Sequence, residues 1–120
     1  SFMLLASLAS TSLGYVTLQH QEFRDKISDS FFSILIDVRR QDEWDAGHLA
    51  NATFLESLQL TQNWSPIAGC QSCPIAVYCR TGVRSKAAAL VLEAAGFTEV
   101  YDGLGITQWQ GGGGGGPPPF

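Results

Sequence analysis

Apolar residues in this chain gather into short dense runs separated by segments with a helical period. Phe31 to Val38 is a nearly continuous apolar run rich in strand formers, the pattern of a strand buried on both faces. Ile75-Ala76-Val77-Tyr78 is a second such run, and Val100-Tyr101, after a turn at Gly96-Phe97, marks a third. Tyr15 to Leu18 reads as a further short strand. Between the runs, Phe23 and Ile27 stand four apart on one face of a helix over about His20 to Ile27, and a short helix is expected over Glu43 to Ala46. A weaker helix is expected after Leu58. The strongest spans Ser85 to Ala95, with Gly96 as its C′ residue and a set of alanines (87, 88, 89, 94 and 95) small enough for close approach to a sheet. Strands alternating with helices predict an α/β fold of three layers, a central mostly parallel sheet with helices on both faces. In such folds a ligand belongs at the carboxyl ends of the strands.

The chain has 120 residues, 45% of them apolar, which fits one domain around one core. A formal charge of -4 leaves no basic stripe, so nucleic acid is not the expected partner. Residues 2 to 9 form an apolar stretch followed by small residues up to Gly14, similar to the core and cleavage region of a signal peptide. The expectation is an exported protein whose residues 1–14 are a leader remnant. An apolar arm packed on a cytoplasmic domain is the alternative. The stretch is too short to span a bilayer. Residues 15–110 form the expected domain, and residues 111–120, six glycines and then three prolines and Phe120, read as a disordered tail.

The chemistry concentrates in Cys79-Arg80-Thr81-Gly82-Val83-Arg84, between the Ile75–Tyr78 strand and the alanine-rich helix. A cysteine at a strand-to-helix turn faces backbone N–H groups and the positive end of a helix dipole. Sites of that kind lower a thiol's pKa and bind anions. Arg80 and Arg84 add positive charge where a thiolate and an anionic substrate would meet. Gly82 permits a backbone turn that a side chain would obstruct, Thr81 supplies an N–H, and Val83 packs the loop. Arg84 is expected to fold back and brace the loop with its fork of donors, and Arg80 to face the entrance. With Cys79 kept as a thiol, Cys70 and Cys73 remain as a pair able to form a small disulfide in an oxidising compartment, or a reduced structural pair. Zinc takes about four ligands, and beyond its cysteines the chain offers only His20 and His48, far apart, so neither a metal nor a cofactor is expected.

Two segments together resemble the rhodanese family of sulfurtransferases. One is Asp37-Val38-Arg39 with Glu43-Trp44, Gly47-His48-Leu49 and Ala52. The other is Tyr78-Cys79-Arg80-Thr81-Gly82-Val83-Arg84-Ser85. The resemblance covers Val16 to Trp109, and the Cys70-x-x-Cys73 pair is similar to that of a small exported subgroup. It implies a Cys79 persulfide formed from an anionic donor such as thiosulfate and passed to a thiol or cyanide acceptor. It also implies that Asp37, Arg39, Glu43 and His48 fix the loop after the central strand rather than act as acids or bases, with Arg39 paired to Glu43 and His48 bonded to backbone. The family's Gly-Gly before the final Trp is here Gly103-Leu104-Gly105-Ile106. That departure leaves the last part of the sheet less closely specified.

Three other readings carry tests of their own. A phosphatase or arsenate reductase also places a Cys-to-Arg loop before a helix. Only four residues lie between Cys79 and Arg84, whereas the phosphatase loop encloses one more to hold a tetrahedral oxyanion. A non-catalytic rhodanese-like module would bind a partner or sense redox state without turnover. A relay between Cys79 and Cys70 or Cys73 would have to join opposite ends of one strand.

Overall fold

The computed structural model describes residues 14–57 and 65–106. The expected leader, the helix after Leu58, Trp109 and the glycine-proline tail lie wholly or largely outside them. Among the described residues five strands form one sheet, β1 (Val16–Thr17), β2 (Ile34–Asp37), β3 (Thr53–Phe54), β4 (Ile75–Cys79) and β5 (Val100–Gly105). Their spatial order is β1-β5-β4-β2-β3, and every pair is parallel. The central strand β4 is buried along its whole length, as its unbroken apolar run requires.

The α-helices lying wholly within the described residues are α1 (His20–Ser28), α2 (Gln41–Asp45) and α3 (Val83–Ala94), and a 3-10 turn covers Ser65–Ile67. Alternation along the strands divides the core into two clusters, one on each face. Ile36, Val38, Val77 and Cys79 pack with Ala88, Ala89 and Leu92 of α3. Leu35, Ala76 and Tyr78 pack with Phe23 of α1. Adjacent residues Tyr78 and Cys79 therefore point to opposite layers. α3 ends in a Schellman motif, in which Gly96 at φ 99° donates to Glu93 O and Phe97 donates to Leu92 O.

Several boundaries differ from the sequence reading, and α2 starts at Gln41 rather than Glu43 while β5 runs on to Gly105. The Phe31 run enters the sheet only at Ile34, because Phe31 and Phe32 precede the ladder and pack their rings against Tyr101. α3 begins two residues earlier than its alanines announce, at Val83, since the turn after Cys79 is already helical beyond Gly82. β3 has too few residues to show a period, and pairing with β2 alone makes it a strand. Between β4 and β5 the register slips, with Val77 opposite Asp102 but Cys79 opposite Gly105. The extra residue on β5 is absorbed at Leu104, which adopts φ 65° and whose N–H, turned out of the ladder, is taken by the Asp102 carboxylate at 2.9 Å.

Candidate active site

Cys79 is the last residue of β4, and its neighbours β2 and β5 carry the chain to the same carboxyl edge of the sheet. The following turn reverses direction at Gly82, whose φ of 105° is a conformation that a Cβ would strain. α3 then starts with its first N–H groups directed back at the strand end. Gly82 N–H donates to Cys79 Sγ at 3.0 Å and Ser85 N–H at 3.3 Å. Two donors from a helix N-terminus converge on one sulfur, which solvates negative charge there without water. Cys79 is fully buried and is the one cysteine outside a disulfide. Arg80, Thr81 and Val83 stand at the exposed rim, Val83 with three-quarters of its surface in solvent.

β5 passes directly beneath this turn. A Cβ built on Gly105 would meet Arg80 O and Thr81 Cα at 2.5 Å, so the close approach of strand to turn depends on a glycine there. The same strand needs a second glycine at 103, where a Cβ would enter the Phe23 ring at 2.5 Å.

The fork of Arg84 reaches from the first turn of α3 to Glu43 of α2. Nη1 donates to Oε1 at 2.7 Å and Nη2 to Oε2 at 3.1 Å. Glu43 also accepts the Arg40 N–H at 2.9 Å, closing the first turn of α2. The Arg84 hydrogen bonds outweigh partial burial and hold the Glu43 carboxyl at about 2, while Glu43 in turn raises Arg84. The expected pairing of Arg39 with Glu43 is thereby overturned. Arg39 lies under the sheet edge instead, donating through Nε and Nη2 to Asp37 at 2.7 to 3.0 Å and through Nη2 to Gly47 O at 2.7 Å. Burial works against its charge, but the Asp37 carboxylate prevails and raises it.

Asp37 and Arg39 belong to the α1 face, away from the sulfur. Tyr78 links them to the chain beyond, donating its hydroxyl to Asp37 Oδ2 at 2.8 Å and accepting Leu49 N–H at 3.1 Å. Burial first, and then the Asp37 charge, push the Tyr78 hydroxyl far above the usual phenol range, so it stays a donor. This largely buried network ties Arg39 to Gly47 and, through Asp37 and Tyr78, to Leu49. His48 stacks on Trp44 with ring centres 3.4 Å apart, and its Nδ1 lies 3.0 Å from Trp44 O. It is a turn residue held by its own loop. Cys70 and Cys73 are joined as a disulfide at the start of β4, the opposite end of that strand from Cys79.

Sequence reasoning passed over Tyr78, Ser85 and Asp102 as polar members of the site. Tyr78 reads as one more apolar strand residue, and Ser85 as a helix start. Asp102 interrupts an apolar run, which is the signal that could have marked it.

A model of the Rhodanese-like domain matches residues 19–111. A thiosulfate sulfurtransferase of Coxiella burnetii, GlpE, is 39% identical over 72 residues, which are 60% of this chain and 65% of that protein. An uncharacterised protein of Bacillus subtilis, YqhL, is 36% identical over 86 residues, 72% of this chain and 64% of its own. The chain thus spans a little under two thirds of the length of these relatives. Among solved structures, a rhodanese-related protein of Thermoplasma volcanium is similar with a TM-score of 0.70 at 26% identity, over 82% of this chain and 94% of that one. The human single-domain sulfurtransferase TSTD1 shares the fold, with a TM-score of 0.68 at 18% identity over 79% and 95% of the two chains.

Proposed function

Because the chain belongs to the rhodanese-like domain family, we propose that it is a sulfurtransferase that carries sulfane sulfur on Cys79. The observation that carries this reading is the convergence of the Gly82 and Ser85 N–H groups on Cys79 Sγ, in a turn with only four residues between Cys79 and Arg84. The name of the Coxiella burnetii relative supports thiosulfate as donor.

In this reading the Cys79 thiolate attacks the outer sulfur of thiosulfate. A new sulfur–sulfur bond forms, the sulfur–sulfur bond of thiosulfate breaks, and sulfite leaves with its electron pair. The terminal sulfur of the Cys79 persulfide carries the negative charge, which the N–H groups of the turn receive as an oxyanion hole receives oxygen. A thiolate or cyanide acceptor then attacks that outer sulfur and takes it as a persulfide or thiocyanate, returning Cys79 to the thiolate. Arg80 at the exposed rim attracts the donor anion, and Arg84, tied to Glu43, keeps the helix start in place. No step needs a general base. The Cys70–Cys73 disulfide supports an oxidising compartment as the site of action.

Thiosulfate followed by intact mass, with cyanide-dependent thiocyanate release as the second readout, tests the reading. The expected result is a gain of one sulfur atom and turnover, both absent in Cys79→Ala. A folded, reduced protein that neither gains sulfur nor turns over with thiosulfate or a low-molecular-weight persulfide would instead be a binding or redox-sensing module.

A further inference from the structure

The alanine run of α3 divides between two sides of the helix. Ala88 and Ala89 are buried against the sheet with Ser85 and Leu92, whereas Ala87 and Ala94 are exposed. At about 100° per residue, Val83, Ala87, Leu90 and Ala94 fall in one stripe along the outward side, directly opposite the buried one. Val83 is 75% exposed and Leu90 50%, large apolar groups on a helix whose other apolar side already lies in the core. A helix that is apolar all round is one that a partner covers.

The charges beside this stripe select the partner. Lys86 and Glu93 stand seven positions apart, close to two turns, and so flank the stripe on the same side. Neither forms an ion pair among the described residues, and the Glu93 carboxylate is held where a Cβ on Gly14 would be. Each has the wrong sign for its own helix. α3 has no acidic residue in its first turn and no basic one in its last, the reverse of what the helix dipole favours. A second α3 laid antiparallel across the stripe corrects both ends. A two-fold axis perpendicular to the helices keeps each flank on its side and exchanges the ends, so Lys86 of either copy comes beside Glu93 of the other. On the opposite flank Arg84, tied to Glu43, comes opposite the exposed Ala95 of the other copy, and no like charges meet. Leu90 lies at the centre, and Ala87 and Ala94 leave room for the helices to approach.

We propose that the outward side of α3 is a self-association surface, on which a second copy of this chain packs its own α3 antiparallel, with Leu90 at the two-fold axis and reciprocal Lys86–Glu93 ion pairs along one flank. α3 is about 18 Å long, and one helix face is less than the roughly 800 Å² that each partner gives a stable interface, so the dimer is weak and depends on concentration. The stripe begins at Val83, next to the Gly82 whose N–H holds Cys79 Sγ, so the second copy stands beside the Cys79 turn.

Sedimentation equilibrium of the whole chain, from about ten micromolar to about one millimolar, tests this. The expected result is a monomer–dimer equilibrium, weakened about tenfold or more by Leu90→Lys, which removes apolar contact on both sides of the axis. Lys86→Glu and Glu93→Lys should each weaken it, since either change turns two attractive pairs into repulsive ones. The double variant should recover the association that each single variant loses, which a structural effect of either residue would not allow. Leu90 and Lys86 are exposed, so their variants keep the fold, and circular dichroism checks it. A wild type that stays monomeric throughout the range overturns the proposal, needs no variant, and leaves another segment or a different protein to cover the stripe. A dimer that Leu90→Lys or the single charge reversals leave unchanged overturns it as well.

Discussion

Arg84 and Glu43 stand 41 positions apart in the chain and meet in a two-point fork at 2.7 and 3.1 Å, tying the start of α3 to α2. Glu43 is nearly buried and Arg84 about a third exposed. The pair therefore has more weight than a surface ion pair and less than its full Coulomb attraction, because solvent still screens one partner.

The Glu43 carboxyl is depressed from 4.5 to about 2 in the folded protein, so its contribution to stability is complete above the unfolded value and disappears as pH falls through the folded one. Acid unfolding should show an added loss of about 1–2 kcal/mol over that window, after discounting for the exposure of Arg84. Glu43→Gln should lose the pH-dependent increment. Chemical denaturation at several pH values between neutrality and the acid limit measures it, and parallel wild-type and variant curves would refute it.

Gly105→Ala should destabilise the protein by about 1–3 kcal/mol, the usual cost of forcing a methyl group into a filled space. The added Cβ meets the backbone of Arg80 and Thr81, which cannot move without moving the turn. Cys79 alkylation should therefore change in rate as well. A melting temperature equal to wild type would mean that the strand and turn separate easily.

Tyr78→Phe should cost about 1–3 kcal/mol, because it leaves the Leu49 N–H and one Asp37 oxygen without the hydroxyl that joins them. Tyr78 faces α1 and Cys79 faces α3, so the alkylation rate of Cys79 in the folded variant should stay close to wild type. A large rate change at native-like stability would show that the two faces are coupled.

Opening the Cys70–Cys73 disulfide should cost about 2 kcal/mol on the chain-entropy account of so short a loop. The loop also clasps the approach to β5, where the Thr98 N–H and hydroxyl both donate to Gln71 O. Thermal melts with and without dithiothreitol should differ for the wild type and coincide for a Cys70→Ser/Cys73→Ser double variant.

Local pattern in the chain specified four of the five strands in their order and the placement of Cys79 at a strand end before a helix. It also specified the stop at Gly96, where a left-handed residue and two carbonyl acceptors suffice. Those features depend on local period and turn chemistry, which act within a few residues. Tertiary structure alone decided which acid Arg84 would meet, that Arg39 would turn to Asp37 rather than Glu43, and that two residues at 53 and 54 would become a strand. It also set the Asp102 carboxylate against the Leu104 N–H where β5 bulges. The physical reason is that a charged or hydroxylated side chain has several partners of equal chemistry in the chain. Only the parallel crossovers and the face each strand residue takes settle which of them comes within hydrogen-bond reach.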